Sequence, residues 1–174
     1  MKYLNLKVLI LGIILVFVWG CNQLDDGSYT VPITLYEKVG GNWSLNSLKM
    51  VDEFAKTNGI KPDEQNLEQL FNYNQFALQL RVDSEFNPTT YEVMGTVPPL
   101  FAPKGYWKLS SAFQPTSSDA VRVQLYKDVD KKQLIDELLL TAVPGAGNAM
   151  HLKLVRSDEG VAYISYVFDL TTTN

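Results

Sequence analysis

The chain has very few of the residue types on which many protein sites depend. Its 174 residues include one cysteine, Cys21, and one histidine, His151. A single cysteine excludes a disulfide framework, and a single histidine beside it cannot complete the ligand set of a structural zinc site. We therefore expect hydrophobic burial to stabilise the fold, and we expect no metal and no cofactor.

The apolar segment at the start of the chain is too short to cross a membrane. It contains twelve apolar or glycine residues, from Val8 to Trp19, whereas a spanning helix needs about 20 residues. Lys2 and Lys7 precede it, which is the order of charges in a secretory signal. The pattern predicts a cleaved signal peptide over residues 1–20.

Cys21 directly follows this leader. The segment Val18-Trp19-Gly20-Cys21 resembles the bacterial lipobox, which has an aliphatic residue three positions before the cysteine and a small residue immediately before it. The resemblance implies that Cys21 is the acylated first residue of the mature chain. At about 0.8 kcal/mol per buried methylene, palmitate-like chains would anchor the protein firmly. The alternative is that Cys21 is a small apolar residue buried in a core.

An acidic segment follows the cysteine. Gln23, Asp25 and Asp26 resemble the short tag that directs lipoproteins of the Bacteroidetes to the outer face of the outer membrane. The alternative is that the two acids keep a flexible tether, predicted over residues 21–40, solvated. The resemblance implies a lipid-anchored protein of the outer membrane that is exposed at the cell surface.

Positive charge is scarce in the mature chain. The whole sequence has fifteen Lys and Arg against nineteen Asp and Glu, and two of the fifteen, Lys2 and Lys7, lie in the leader. The remaining thirteen basic residues leave a net charge near −6. An acidic protein has no general affinity for phosphate backbones and is repelled by anionic lipid. We expect no nucleic-acid partner, and contact with the membrane through the lipid alone.

Alternating apolar and polar residues dominate the chain after residue 41. Trp43 to Met50 predicts a long strand with a bulge near Asn46-Ser47. Further strands are predicted over residues 76–82, 91–97, 107–113, 121–125, 138–143, 150–154 and 162–170, and the last two are joined by a hairpin loop at residues 157–160. Leu134 and Ile135 give the 138–143 segment an ambiguous, helix-like start.

One short helix is predicted after the first strand, over residues 62–72. Pro62 suits a first helical position, and Asp63 and Glu64 suit the first turn of a helix. Leu67, Leu70 and Phe71 follow at helical spacing.

Eight consecutive strands separated by turns predict an all-β fold, an eight-stranded up-and-down antiparallel barrel over residues 41–172, because closure removes exposed sheet edges. A two-sheet β-sandwich is the alternative. Gly41-Asn42-Trp43 and Gly105-Tyr106-Trp107 each open a strand. In a barrel, each glycine would allow a tight turn while the indole closes one end.

These two Gly-x-Trp strands resemble those of the lipocalin-like lipoproteins of the Bacteroidetes, over about residues 38–172. The resemblance implies a lipocalin-like barrel architecture. A barrel of eight strands has room for packed side chains or for one small ligand. Large residues on the predicted inner face favour the packed interior; they are Trp43, Phe76, Trp107, Tyr166 and Phe168.

The sequence contains no recognisable catalytic set. His151 lies on the strand face opposite Met150 and Leu152, which predicts that it faces solvent, and no nucleophile motif accompanies it. Carboxylate pairs such as Asp52-Glu53 fall at predicted strand ends, where a solvated surface or a weak calcium site is expected. We predict that the protein is not an enzyme.

The best sequence candidate for a binding loop is the proline-rich segment 98–106. Its three prolines reduce the entropic cost of presenting Phe101 and Tyr106 to a partner. The alternative is that Phe101 folds over one barrel end as a plug. Two functions follow from the sequence. One is a binding or accessory module of a surface assembly, with an outer-membrane protein or a glycan as partner; the other is a carrier of a small apolar ligand in the barrel.

Overall fold

In a computed structural model, the described residues are 31–116, 119–145 and 148–173, and they form an all-β fold. Two short α-helices are present, α1 at Leu35–Val39 and α2 at Glu53–Thr57, with a 3₁₀ helix at Tyr73–Gln75. The strands are β1 Gly41–Asp52, β2 Glu64–Asn66, β3 Ala77–Val82, β4 Pro88–Met94, β5 Lys104–Leu109, β6 Arg122–Tyr126, β7 Leu134–Ala142, β8 Ala149–Asp158 and β9 Val161–Thr172. None of the helices in these described residues has the length and apolar character of a transmembrane span.

Eight strands close into an antiparallel barrel, as predicted. The order runs from β1 to β3 and then consecutively to β9, and β9 pairs back with β1. β2 lies outside this ring and pairs only with the end of β1, where Met50 is opposite Gln65. The predicted bulge is confirmed, because the register between β1 and β9 shifts between Leu45 and Ser47.

The barrel interior is packed with apolar side chains. β3, β7 and β8 each alternate buried and more exposed residues, which is the period expected of strands with one buried face. The largest fully buried side chains include Trp43, Tyr91, Trp107 and Phe168. Together with Phe76 and the inward-facing leucines they form one continuous core.

Helix α1 covers the barrel end at which β1 begins. Thr34 and Glu37 form a capping box, and Leu35 and Val39 are buried in the core. The Trp43 indole donates to the Val39 carbonyl at 2.8 Å, and the Trp107 ring packs edge-on against Tyr36 at 5.9 Å. Residues 35–39, which the sequence pattern predicts as part of the tether, are therefore ordered here.

The two glycines of the Gly-x-Trp motifs have different roles. Gly41 has a φ of +140°, which L side chains rarely adopt, so the backbone at the start of β1 favours a glycine there. Gly105 lies within β5, and a Cβ atom on it would come within 2.4 Å of the Tyr126 carbonyl oxygen. The turn prediction is wrong for Gly105, whose lack of a side chain instead permits close strand packing.

The predicted helix at residues 62–72 is wrong in position. A short helix does follow β1, but it is α2 at Glu53–Thr57, where the Asp52 side chain accepts from the Ala55 amide at 2.8 Å. Residues 64–66 instead form β2, because they pair with β1. The ambiguous segment from Leu134 is extended throughout, as β7.

Candidate functional site

The loop between β4 and β5, residues 95–103, covers the barrel end opposite α1. We call this loop the mouth loop. Its Phe101 side chain is only 6% exposed, and its ring lies 6.4 Å from that of Phe76 and 6.1 Å from that of Phe168, measured between centroids. Phe101 is therefore the plug described above as the alternative, and it is not presented on an exposed binding loop.

Three side chains hold the backbone of the mouth loop in place. The Tyr73 hydroxyl donates to the Pro98 carbonyl at 3.1 Å, and the Tyr91 hydroxyl donates to the Ala102 carbonyl at 3.0 Å. Arg156 Nη2 donates to the Leu100 carbonyl at 2.6 Å. Burial, with a smaller contribution from the charge of Asp136, raises the pKa of Tyr91 to about 12, so its hydroxyl stays a donor at neutral pH.

Arg156 belongs to an ion pair at the rim of the interior. Its Nη1 donates to Asp136 Oδ1, and the Asp136 side chain is 12% exposed. Both residues continue the inward-facing series of their strands, which elsewhere consists of buried leucines and Met150. In the sequence, the signal for this ion pair is a charged residue at the end of an alternating series of apolar residues in each strand.

The cavity that the described residues form under the mouth loop is small. A cavity of about 50 Å³ lies under the mouth loop, lined by residues that include Phe76, Val93, Leu100 and Phe101. Ligand pockets for small molecules usually have volumes of about 300–1,000 Å³. This cavity is too small for such a ligand while Phe101 occupies its place.

Tyr106, the second predicted loop residue, lies in β5 on the outer face of the barrel, directly opposite Thr90 and Tyr126 on the neighbouring strands. It is partly exposed. With Arg81, Glu92, Lys104 and Lys127 it lines a groove of about 420 Å³, which we call the outer-wall groove. The sequence pattern alone does not single out its cationic members, although Arg81 and Lys104 occupy outward positions of strands with period two.

A second outer groove of about 520 Å³ has a different character. Leu134, Ile135, Leu139 and Val155 give it a largely aliphatic lining on the outer face of β7 and β8. Three charged residues also line it: Arg122 Nε and Glu137 Oε2 lie 3.8 Å apart and offset each other, and Asp136 pairs with Arg156.

The remaining predicted site residues are in two groups. Cys21, Gln23, Asp25 and Asp26 lie outside the described residues. His151 is exposed, and its Nε2 lies 3.2 Å from Asp169 Oδ1 on β9. Within residues 31–116, 119–145 and 148–173, no group of three or more His, Cys, Asp or Glu side chains is arranged to hold a metal ion.

The Asp52-Glu53 pair has a structural role. Asp52 caps α2, and Glu53 Oε1 accepts from Lys153 Nζ at 2.7 Å and from Ser165 Oγ at 2.5 Å. The Glu53 side chain is 15% exposed and Ser165 is fully buried. This cluster fastens α2 to the outer face of β8 and β9.

We expect this cluster to make stability depend on pH. The hydrogen bonds from Lys153 and Ser165 lower the pKa of Glu53 below its ordinary value of 4.5, so the ionised carboxylate stabilises the folded state. Glu53→Gln should lower the free energy of unfolding at pH 7 by about 1–3 kcal/mol. The difference from wild type should persist down to the ordinary pKa and shrink as the pH falls further, through the folded-state pKa, in urea titrations.

Glu85→Gln is the matched control, since Glu85 is exposed and in the described part of the chain its carboxylate has no hydrogen-bond or ion-pair partner. A loss for Glu53→Gln that is equally large at pH 3 and pH 7 would contradict the assigned role of the carboxylate charge.

The chain matches one known protein family. The model of a family described as a domain of unknown function (DUF5004) matches residues 21–171. Because the match covers most of the chain, the protein belongs to this family. No curated protein and no solved structure matches it.

Proposed function

We propose that this DUF5004 protein is a lipid-anchored, lipocalin-like lipoprotein of the bacterial outer membrane, of the kind found in the Bacteroidetes. In this proposal it is a non-catalytic binding or accessory module of a surface assembly. It binds through the outer wall of the barrel, and its interior is a structural core.

The packed barrel mouth is the observation that carries this proposal. Phe101 fills the space between Phe76 and Phe168, and the cavity beside it has a volume of about 50 Å³. A carrier of an apolar ligand would need a pocket several times larger. The outer wall, in contrast, has grooves of about 420 and 520 Å³.

Two further points support a non-catalytic role. The one histidine, His151, is exposed on the outer face of β8, where its Nε2 lies beside the Asp169 carboxylate. The carboxylate–lysine–serine set of Glu53, Lys153 and Ser165 has its hydroxyl fully buried and out of reach of a substrate.

The anchor is supported by the leader and by the position of the family match. The family match begins at residue 21, which is also the predicted acylated cysteine. Residues 1–20 carry the features of a signal peptide, and the acidic residues after Cys21 resemble a surface-export tag.

We expect Cys21→Ala to remove the protein from the membrane. Without acyl chains the acidic barrel has no other strong affinity for lipid, so nearly all of the protein should appear in the soluble fraction after cell fractionation. The measurement is immunoblotting of the soluble and membrane fractions against wild type.

The matched variant is Asp25→Ala with Asp26→Ala, which keeps Cys21. It should stay in the membrane fraction but become resistant to protease added to intact cells, whereas wild type is cleaved. Retention of Cys21→Ala in the membrane would contradict the lipid anchor, and equal cleavage of the double variant and wild type would contradict the export tag.

A further inference from the structure

The outer-wall groove is positively charged on a protein whose net charge is negative. Arg81, Lys104 and Lys127 line it, against one acid, Glu92. Among the residues that the structure describes, the Lys104 and Lys127 ammonium groups have no hydrogen-bond or salt-bridge partner. Two free cations are thus concentrated at one concave surface of a protein with formal charge −4.

A hydrogen bond to Gln79 positions the Arg81 side chain and leaves its Nη groups available to a ligand. Its Nε donates to Gln79 Oε1 at 2.6 Å, and Gln79 Nε2 donates in turn to Asn42 Oδ1 at 2.7 Å. Arg81 Nη2 forms a long ion pair with Glu92 Oε2 at 3.7 Å, which exceeds the hydrogen-bond range of about 2.7–3.2 Å and leaves its N–H groups free to donate. The two Nη groups can therefore meet a carboxylate in the paired geometry that arginine favours.

Further positive charge lies beside the groove. Lys108 Nζ is 5.1 Å from the centre of the Tyr126 ring, and Tyr126 is the strand neighbour of Tyr106. Lys131 Nζ donates to the Pro88 carbonyl, and burial together with the charge of Lys108 lowers the pKa of Lys131, against a smaller opposing effect of Asp83. These lysines extend the positive potential that an anionic ligand would meet.

The groove also has an aromatic wall and neutral polar groups. Tyr106 is partly exposed between Thr90 and Tyr126. The Tyr106 ring and the neighbouring hydroxyl groups suit a ligand ring that is apolar on its faces and polar at its edge. The cations suit an acidic group on that ligand. The aliphatic groove on β7 and β8 lacks this combination.

We propose that the outer-wall groove binds a carboxylate-bearing saccharide. Arg81, Lys104 and Lys127 pair with its carboxylates, and Tyr106 packs against a sugar ring. The groove volume of about 420 Å³ lies within the usual range for ligand pockets. This inference rests on the proposed function and names the class of ligand for it.

The test is isothermal titration calorimetry of the purified acylated protein in detergent. The probe is a trimer of galacturonic acid, and the matched ligand is the neutral galactose trimer. We expect the acidic trimer to bind and the neutral one not to bind, with weaker affinity at about 0.15 M salt than at about 0.01 M salt. Lys104→Gln combined with Lys127→Gln should weaken binding about tenfold.

Lys38→Gln combined with Lys49→Gln is the charge-matched control, because neither lysine is among the residues that line the groove; they lie on α1 and on β1. Its affinity for the acidic trimer should equal that of wild type. Equal weakening in both double variants, or no binding of the acidic trimer, would overturn the proposal. Equally tight binding of a triglutamate peptide would overturn the saccharide assignment.

Failure of this test is distinguishable from failure of the proposed function. The membrane anchor and the packed interior are measured separately, by cell fractionation and by mass spectrometry of the intact protein. If the protein is membrane-anchored, has a ligand-free interior and does not bind the acidic trimer, the ligand class is wrong. The binding-module proposal is then not contradicted.

Discussion

Replacing Phe101 with alanine is expected to lower the free energy of unfolding by about 3–5 kcal/mol, the usual cost of removing a buried aromatic side chain. The Phe101 ring is 6% exposed and contacts the rings of Phe76 and Phe168. The variant would leave a cavity at the barrel mouth that the surrounding strands cannot fill. The measurement is the unfolding midpoint in guanidinium chloride, converted with a common slope.

Tyr106→Ala is the control for this variant, since the same sequence segment carries both residues. Tyr106 lies on the outer face, where the loss of cross-strand contacts with Tyr126 should cost no more than about 1 kcal/mol. Equal losses for the two variants, or an unchanged midpoint for Phe101→Ala, would contradict the assignment of Phe101 to the core.

Alanine in place of Gly95 should have the second large effect on stability. Gly95 has a φ of +92°, and a Cβ atom there would lie 2.1 Å from the Gln75 carbonyl oxygen. Backbone strain of about 1–2 kcal/mol and overpacking of about 1–3 kcal/mol should add to a loss of about 2–5 kcal/mol. Because Gly95 begins the mouth loop, this substitution should also displace the loop.

Two other glycines separate these two contributions. Gly59 has a φ of +68° and open space around its missing side chain, so Gly59→Ala tests strain alone. Gly105 has no positive φ, but a Cβ atom added to it would lie 2.4 Å from the Tyr126 carbonyl oxygen. Gly105→Ala therefore tests overpacking alone. We expect Gly95→Ala to be the most destabilised of the three in denaturant titrations. A loss for Gly95→Ala no larger than that for Gly59→Ala would show that the close contact with Gln75 is not present.

The barrel was predictable because its signal is local and repeated. Each strand alternates with period two, and the register slip at Asn46-Ser47 is visible in the spacing of Trp43, Leu45, Leu48 and Met50. Strand ends were less predictable, since β4 begins at Pro88 and β5 at Lys104, each three residues before the predicted start.

The helices show where local signals compete with long-range pairing. Pro62, Asp63 and Glu64 have the composition of a helix start, yet residues 64–66 pair with β1 as β2. In contrast, Thr34 and Glu37 have the spacing of a capping box, and this signal of α1 was missed within a segment predicted as a tether.

The candidate site could be predicted only in part, for a related reason. The alternation in β5 places Tyr106 and Trp107 on opposite faces, so the outward position of Tyr106 follows from the sequence. The position of Phe101 does not, because a loop has no period and the contacts of Phe101 are with β9 and with the segment before β3. The outer-wall groove combines residues of β3, β4 and β5 with Lys127, which follows β6, and only the strand register brings Arg81 beside Tyr106.

We expect the barrel to bind through its outer wall and not in its interior. The most direct test is native mass spectrometry of the full-length protein purified in mild detergent from the membranes of its natural host. We predict the mass of the acylated chain with no apolar small molecule retained in stoichiometric amount. One apolar molecule bound per chain, and released only when the protein unfolds, would contradict the claim and show that the protein is a carrier.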